Sequence, residues 1–223
     1  MNFFRRLFSK SQSGKIDIEA IVSMDHAPVI PGPFGEKSLW ICVKKCDIKE
    51  LLDHFNLTTL RKASWQDGMK AASDDGAFVF DGLKDWILMI GWKFPIPFVN
   101  EGIESVYAFL NGLSLKFEEV QYFVSFRTSS AAIWIRSVSG RVTRCYAMID
   151  SIHFHEEGVK TPVEEQWRLI TPGDFELGDD ESKKTLIYPG IEEVSAVSES
   201  WSVNPRKMDQ YTVQNGVGYI IDF

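Results

Sequence analysis

Three successive segments, residues 120–127, 132–138 and 141–152, alternate in polarity with a period of two, and this run limits the fold more than anything else in the chain. Ser139-Gly140 fits a tight turn, so the last two segments must pair antiparallel. Ile133 and Ile135 then point one way, and Trp134 and Arg136 the other. In the following strand Val142, Arg144, Tyr146 and Met148 share one face, and Thr143, Cys145, Ala147 and Ile149 share its opposite. Both faces carry sizeable side chains. The sheet is therefore either covered on both sides or uses one side to bind something.

The rest of the chain supplies helices and further strands. Ile103, Val106, Tyr107, Leu110, Leu113 and Phe117 recur at spacings of three and four, which predicts a helix over 101–117 that lies on the sheet. The apolar runs 77–80 and 86–90, joined by a Gly-containing loop, predict a hairpin. Alternation predicts a strand near 16–22, and a second strand covers 38–43. Prolines and glycines make 28–35 a loop. Helices are expected at 47–54, with Asp47 as cap, and at 59–72. Thr161, Pro162 and Glu164 mark a helix start that would run to 169, and Ile191, Val194, Val197 and Trp201 mark another. Residues 217–223 read as a strand at a sheet edge. The fold class is α+β: a largely antiparallel sheet with helices packed on it. Residues 1–14 form a basic amphipathic segment and a joint, and 15–223 one domain.

A chain of 223 residues buries about 70% of its extended surface on folding, enough for a core without staples. The formal net charge of −7 disfavours nucleic acid, which needs surplus Lys and Arg to neutralise phosphates. Three cysteines, Cys42, Cys46 and Cys145, are too few and odd in number for a disulfide framework and read as free thiols in a reducing cytosol. Arg5 and Arg6 interrupt the apolar start that a signal peptide requires, and no apolar run is long enough to span a bilayer. The expected location is cytoplasmic. Phe3, Phe4, Leu7 and Phe8 could bring residues 1–10 to an anionic membrane surface, but two turns of helix bind weakly.

Several groups invite a chemical reading. In a strand, His153, His155 and Glu157 face one side, and two histidines with a carboxylate can hold zinc or iron, Glu156 or Glu157 serving as ligand or general base. A metal-dependent enzyme is the alternative that follows. There is no G-x-S-x-G elbow, no S-x-x-K pair and no glycine-rich phosphate loop, and Cys145 sits among apolar neighbours where thiols are inert. Nothing in the sequence calls for a cofactor. Antiparallel pairing across the Ser139-Gly140 turn brings Arg136 close to Arg141 or Arg144, with Trp134 and Tyr146 nearby, a planar cationic and aromatic set favoured at protein interfaces. The same arginines can equally pair with acids such as Glu118 or Glu119. Residues 172–184 form an acidic loop with Asp174, Glu176, Asp179, Asp180 and Glu181.

The order Trp65-Gln-Asp-Gly68, Phe78-Val-Phe80, Gly82, Trp86-Ile-Leu-Met-Ile-Gly91, Leu113-Ser114, Val120-Gln-Tyr-Phe123, Arg127 and Trp134 resembles a group of uncharacterised bacterial cytosolic proteins. Thr161, Glu164-Glu165 and Trp201-Ser-Val-Asn-Pro205 fit the same pattern. Some proteins of that kind are similar to immunity proteins against polymorphic toxins. The resemblance spans roughly residues 60–205 and rests on core and turn residues, so it implies a shared fold and carries over no catalytic residue. Together these observations lead to an expected function: a non-enzymatic protein-binding module, of immunity type, that occludes a basic partner. In that picture Asp174, Glu176, Asp179, Asp180 and Glu181 supply charge and an exposed Trp supplies the anchor, with Arg136, Arg144 and Trp134 as further candidate partner-binding residues.

Overall fold

A computed structural model of the chain describes residues 16–23, 30–55, 57, 59–97, 102–150, 153–171, 174, 185–213 and 217–222; the side chains of Ser23, His153 and Phe154 are outside this set. In chain order the elements are α1 (Ile18–Ser23), β1 (Ser38–Lys44), α2 (Ile48–Asp53), β2 (Thr59–Ala63), α3 (Trp65–Ser73), β3 (Ala77–Phe80) and β4 (Trp86–Ile90). Then come α4 (Gly102–Phe117), β5 (Glu119–Phe126), β6 (Ala131–Val138), β7 (Arg141–Ile149), β8 (His153–Gly158), α5 (Ile191–Trp201) and β9 (Gly218–Asp222). All nine strands join one sheet in the order β2-β9-β3-β4-β1-β5-β6-β7-β8, and every neighbouring pair is antiparallel. The α+β class holds.

Strands β5 to β7 form the expected meander, but the strand expected to run to 152 ends at Ile149, and a further strand, β8, folds back antiparallel on it. Ser139 and Gly140 both have positive φ, 49° and 80°, the pair of left-handed residues that a two-residue hairpin demands. The sheet is covered on both faces. On one, Ile41, Met89, Tyr122, Ile133 and Cys145 lie beneath α4, whose Val106, Phe109, Leu110, Leu113 and Phe117 are buried. On the other, Trp40, Phe78, Leu88, Phe123, Trp134 and Tyr146 lie beneath α3, α5 and residues 169–170. A sheet shielded on both faces reads as rows of large residues on alternate sides, as the sequence does here.

Four sequence expectations need correction. Residues 18–23 are helical, not a strand: Ile18, Ile21 and Val22 also satisfy helical spacing, and the Asp17 carboxylate accepts from the Ala20 N–H at 3.0 Å, as a cap does. The helix expected over 59–72 divides at Ser64. Before it, β2 pairs with β9; after it, Ser64 caps α3 by accepting from Asp67 N–H at 3.1 Å. The helix expected from Thr161 is a single 3₁₀ turn, Glu164–Gln166, and Trp167 returns to extended backbone (φ −119°, ψ 138°). Finally, β9 is an interior strand between β2 and β3, which ties the end of the chain into its first half.

Candidate functional site

The aromatic and cationic set on β6 and β7 is assembled as the alternation implies, but inside the protein. Trp134 and Tyr146 stack at 4.4 Å between ring centroids, 12° from parallel, and Arg136 is the cross-strand partner of Arg144. Trp134 and Arg144 are only 0% and 1% exposed. Glu164, also fully buried, accounts for this: its Oε1 accepts from Arg144 Nε at 2.8 Å, Arg144 Nη2 at 2.6 Å and Trp134 Nε1 at 2.7 Å. Its Oε2 accepts from the Thr161 N–H and hydroxyl at 2.9 and 2.7 Å. Glu156 adds a second carboxylate to Arg144 at 2.9 Å. Burial pushes the Glu164 carboxyl upward, but the bonds from Arg144, Thr161 and Trp134 outweigh it and hold it below the usual carboxylate range. Trp134 and Arg144 therefore fasten the turn at residues 161–166 onto the sheet. In this structure both side chains are enclosed and bonded to Glu164, not presented at the surface as the sequence reading expected.

Arg136 is half exposed, and it too is occupied, by Glu119 at 2.8 and 3.0 Å through both oxygens. Its guanidinium also lies 6.0 Å from the Trp201 ring. This is the pairing with a nearby acid that the composition allowed.

Strand β8 is a sheet edge. His155 and Glu157 sit on its α4-facing side, as period two requires, with His155 Nε2 3.8 Å from Glu157 Oε2 and the Tyr107 ring 5.7 Å from the imidazole. The backbone of His153 pairs with Ile149, and its side chain falls outside the described residues. Among the described residues no group of three or more His, Cys, Asp or Glu side chains is gathered as a metal site requires. Cys145, the cross-strand partner of Glu157, has its thiol pushed up to about 12 by burial, so it is no nucleophile near neutral pH.

Of the acidic residues, Asp174 is described, whereas Glu176, Asp179, Asp180 and Glu181 lie outside the described residues. Asp174 is committed internally: its carboxylate accepts from the Thr171 hydroxyl and N–H at 2.7 and 2.8 Å and pairs with Arg168 at 3.4 Å. Those contacts, Thr171 first, hold it below its ordinary range. The two flanks of the acidic stretch are held together. Ile170 N–H donates to Ile187 O at 3.1 Å, and Ile187 N–H to Arg168 O at 2.9 Å.

The next residue, Tyr188, is 57% exposed and borders a cleft that the sequence did not reveal. This cleft, about 360 Å³, lies between the start of α5 and the β5–β6 connection, and Glu36, Glu192 and Glu193 bring three carboxylates to it against the single guanidinium of Arg127. A second cleft of about 640 Å³ adjoins it, sharing Glu36 and Phe126, and is lined by Phe34, Met69, Trp92 and Arg206. The two share one end of the sheet because β1 begins, β4 and β5 finish and β6 begins there. Glu193 is partly spent, since its Oε2 accepts from the Gly190 N–H at 2.8 Å and caps α5. The available signal was Tyr188-Pro189-Gly190 just after an acidic stretch and just before a helix; the approach of Glu36 depends on the fold.

Comparison of the chain with protein-family models, curated proteins and solved structures finds no match. No helix among the described residues is long and apolar enough to cross a membrane.

Proposed function

We propose that the chain is a non-enzymatic protein-binding module, of immunity type, that occludes a basic partner with the end of its sheet. One observation carries this reading: an exposed tyrosine, Tyr188, which follows an acidic stretch in the sequence, borders a cleft bearing three carboxylates. Partially exposed aromatics serve as interface anchors, and a field of one sign speeds encounter with a partner of the other. The net charge of −7 acts in the same sense. The buried ion network supports the reading indirectly, because it commits Arg144 and Trp134 to holding residues 161–166 on the sheet.

The test is capture of partners by the tagged chain from lysate of its source cells across a salt ladder. The probe is compared with one in which Glu176, Asp179, Asp180 and Glu181 become Ser, leaving Asp174 in its turn, and with Tyr188→Ala. A stoichiometric basic protein, lost at high salt and weakened by both variants, is expected. Equal capture by all three proteins would overturn the reading.

A further inference from the structure

One edge of the sheet is open. Strand β8 pairs with β7 along its whole length without a break in register. Among the described residues its main chain bonds otherwise only to the Arg144 guanidinium, which reaches the Glu157 and Gly158 carbonyls at 3.2 and 3.4 Å. The opposite edge, β2, is packed by α1. Edges that must stay unpaired are commonly guarded by Lys, Pro or a bulge. Strand β8, His153–Gly158, holds no Lys, no Pro and no shift of register. It holds instead a polarity along the strand: histidines at 153 and 155 come first, and glutamates at 156 and 157 follow. Such an order matches itself when reversed, because opposite charges placed across an antiparallel pair stabilise it and like charges do not.

We propose that β8 is a self-association edge, occupied by β8 of a second copy of this chain in antiparallel pairing, so that two sheets join into one. Residues that face each other across an antiparallel pair lie on the same side of the sheet. A two-fold axis perpendicular to the sheet must therefore pass between the same residue of both copies. Placed at Glu156, it sets His155 of each copy opposite Glu157 of the other. Both side chains are within reach, at 40% and 52% exposed, and within one chain they stand 3.8 Å apart, too far for a hydrogen bond. Glu156, the like-charged residue at the axis, is answered inside its own copy by Arg144 at 2.9 Å and Lys160 at 4.0 Å. Val159, 82% exposed just past β8, comes to lie beside the first residue of the other copy's strand. Charge complementarity is the argument, and the axis makes it reciprocal. The overlap, residues 154–158, is short, so the dimer is a weak one that fills with concentration.

The test is sedimentation equilibrium of the full chain across a concentration series. The parent is expected to show a monomer–dimer equilibrium with no higher species. Glu157→Lys should raise the dimer dissociation constant about ten-fold, because the axis repeats each altered cross-strand pair. Asp209→Lys makes the same charge change on an exposed residue of another segment and should stay within about two-fold of the parent. His155→Glu alone should also weaken the dimer. An equal mixture of His155→Glu with Glu157→Lys should recover it, since the new carboxylate then faces the new ammonium while His155 still faces Glu157 across the axis. Circular dichroism melting establishes that each variant is folded. Amide exchange in the parent needs no variant, and the β8 amides should slow as the dimer fills. A parent that stays monomeric at every concentration would overturn the proposal, as would a dimer whose β8 amides exchange as fast as the monomer's. Open polymers would set β8 against β2 and overturn it too. So would equal weakening by Asp209→Lys, or a mixture of folded variants that fails to recover the dimer.

Discussion

Arg144 and Glu164 meet through a single carboxylate oxygen, with Glu164 Oε1 2.6 Å from Nη2 and 2.8 Å from Nε, and neither side chain is open to solvent. A charge pair so enclosed is costly to break from one side only, because the survivor stays buried and unanswered. Glu164→Ala should therefore destabilise the protein by about 3–5 kcal/mol. Replacing both partners with apolar residues, Arg144→Met with Glu164→Leu, should cost less than that single change. Urea unfolding of the three proteins measures both values, and a double variant less stable than Glu164→Ala would contradict the account.

The same pair sets an acid limit. The Glu164 carboxyl is held below its ordinary value of 4.5 in the folded protein, whereas in the unfolded chain it titrates near that value. Between the two values the unfolded state binds more protons, so stability rises with pH across this window. The contribution is complete above the unfolded value and is lost as pH falls through the folded one. Glu164→Gln should accordingly be less stable at neutral pH and show a flatter decline between about pH 5 and 2, measured by circular dichroism in urea at each pH. Glu119, lowered chiefly through Arg136 against the opposing effect of burial, adds a decline of the same sign that this variant retains.

The three free thiols should differ in reactivity. Burial pushes Cys42 and Cys145 each up to about 12, and half-buried Cys46 up to about 11 through burial first and then Asp81 and Glu50. Thiolate is the reactive form, so labelling by a thiol-disulfide reagent at pH 8 should be slow. Cys46 should react first because it alone reaches solvent, and Cys42 and Cys145 should react only in denaturant. Peptide mapping after timed labelling reads the order; early labelling of Cys145 would show that the sheet is open there.

Gly68 of α3 faces the Phe78 ring of β3 with no room for a Cβ between them. Helix propensity alone would make Gly68→Ala stabilising by about 1 kcal/mol. Here the added methyl must displace Phe78 and with it the edge-on contact between Trp65 and Phe78, at 5.5 Å. Gly68→Ala should therefore lower stability by about 1–3 kcal/mol. Thermal unfolding gives the sign directly.

How much of this was legible in the sequence depended on distance along the chain. The hairpin of Phe78 with Ile90, the meander from β5 to β7 and the stripe of α4 are local patterns that the sequence displays, whereas the turn after Ile149 that makes β8 a separate strand is not. Ile18 and Val22 were misassigned because four residues can satisfy both periods. The position of β9 between β2 and β3 was hidden, since nothing in residues 217–223 says which strands will flank them. Arg144 illustrates the harder failure. Its face followed from alternation, while alternation left Arg141 or Arg144 as the neighbour of Arg136, and its burial depended on Glu164, which read only as a helix-start residue. Glu36 and Glu192 came together through a contact between residues 34 and 205 that no local pattern announces.

Trp134 and Tyr188 are the two aromatics to which a partner-binding role could be assigned, and substitution should separate them. Trp134 is sealed between Tyr146 and Glu164, so Trp134→Ala removes a buried stack and leaves Glu164 Oε1 one donor short. The expected cost is about 3–5 kcal/mol in unfolding free energy, with any loss of partner capture following from the smaller folded fraction. Tyr188 keeps 57% of its surface in solvent, so Tyr188→Ala should leave stability within about 0.5 kcal/mol of the parent. Capture of a basic partner by that variant should nonetheless fall at fixed folded concentration, because an interface aromatic contributes only when a partner covers it. Urea unfolding and capture, measured on the same preparations, give the two readouts. A stable Trp134→Ala that fails to bind, beside a Tyr188→Ala that binds normally, would move the partner surface from the end of the sheet to its covered face.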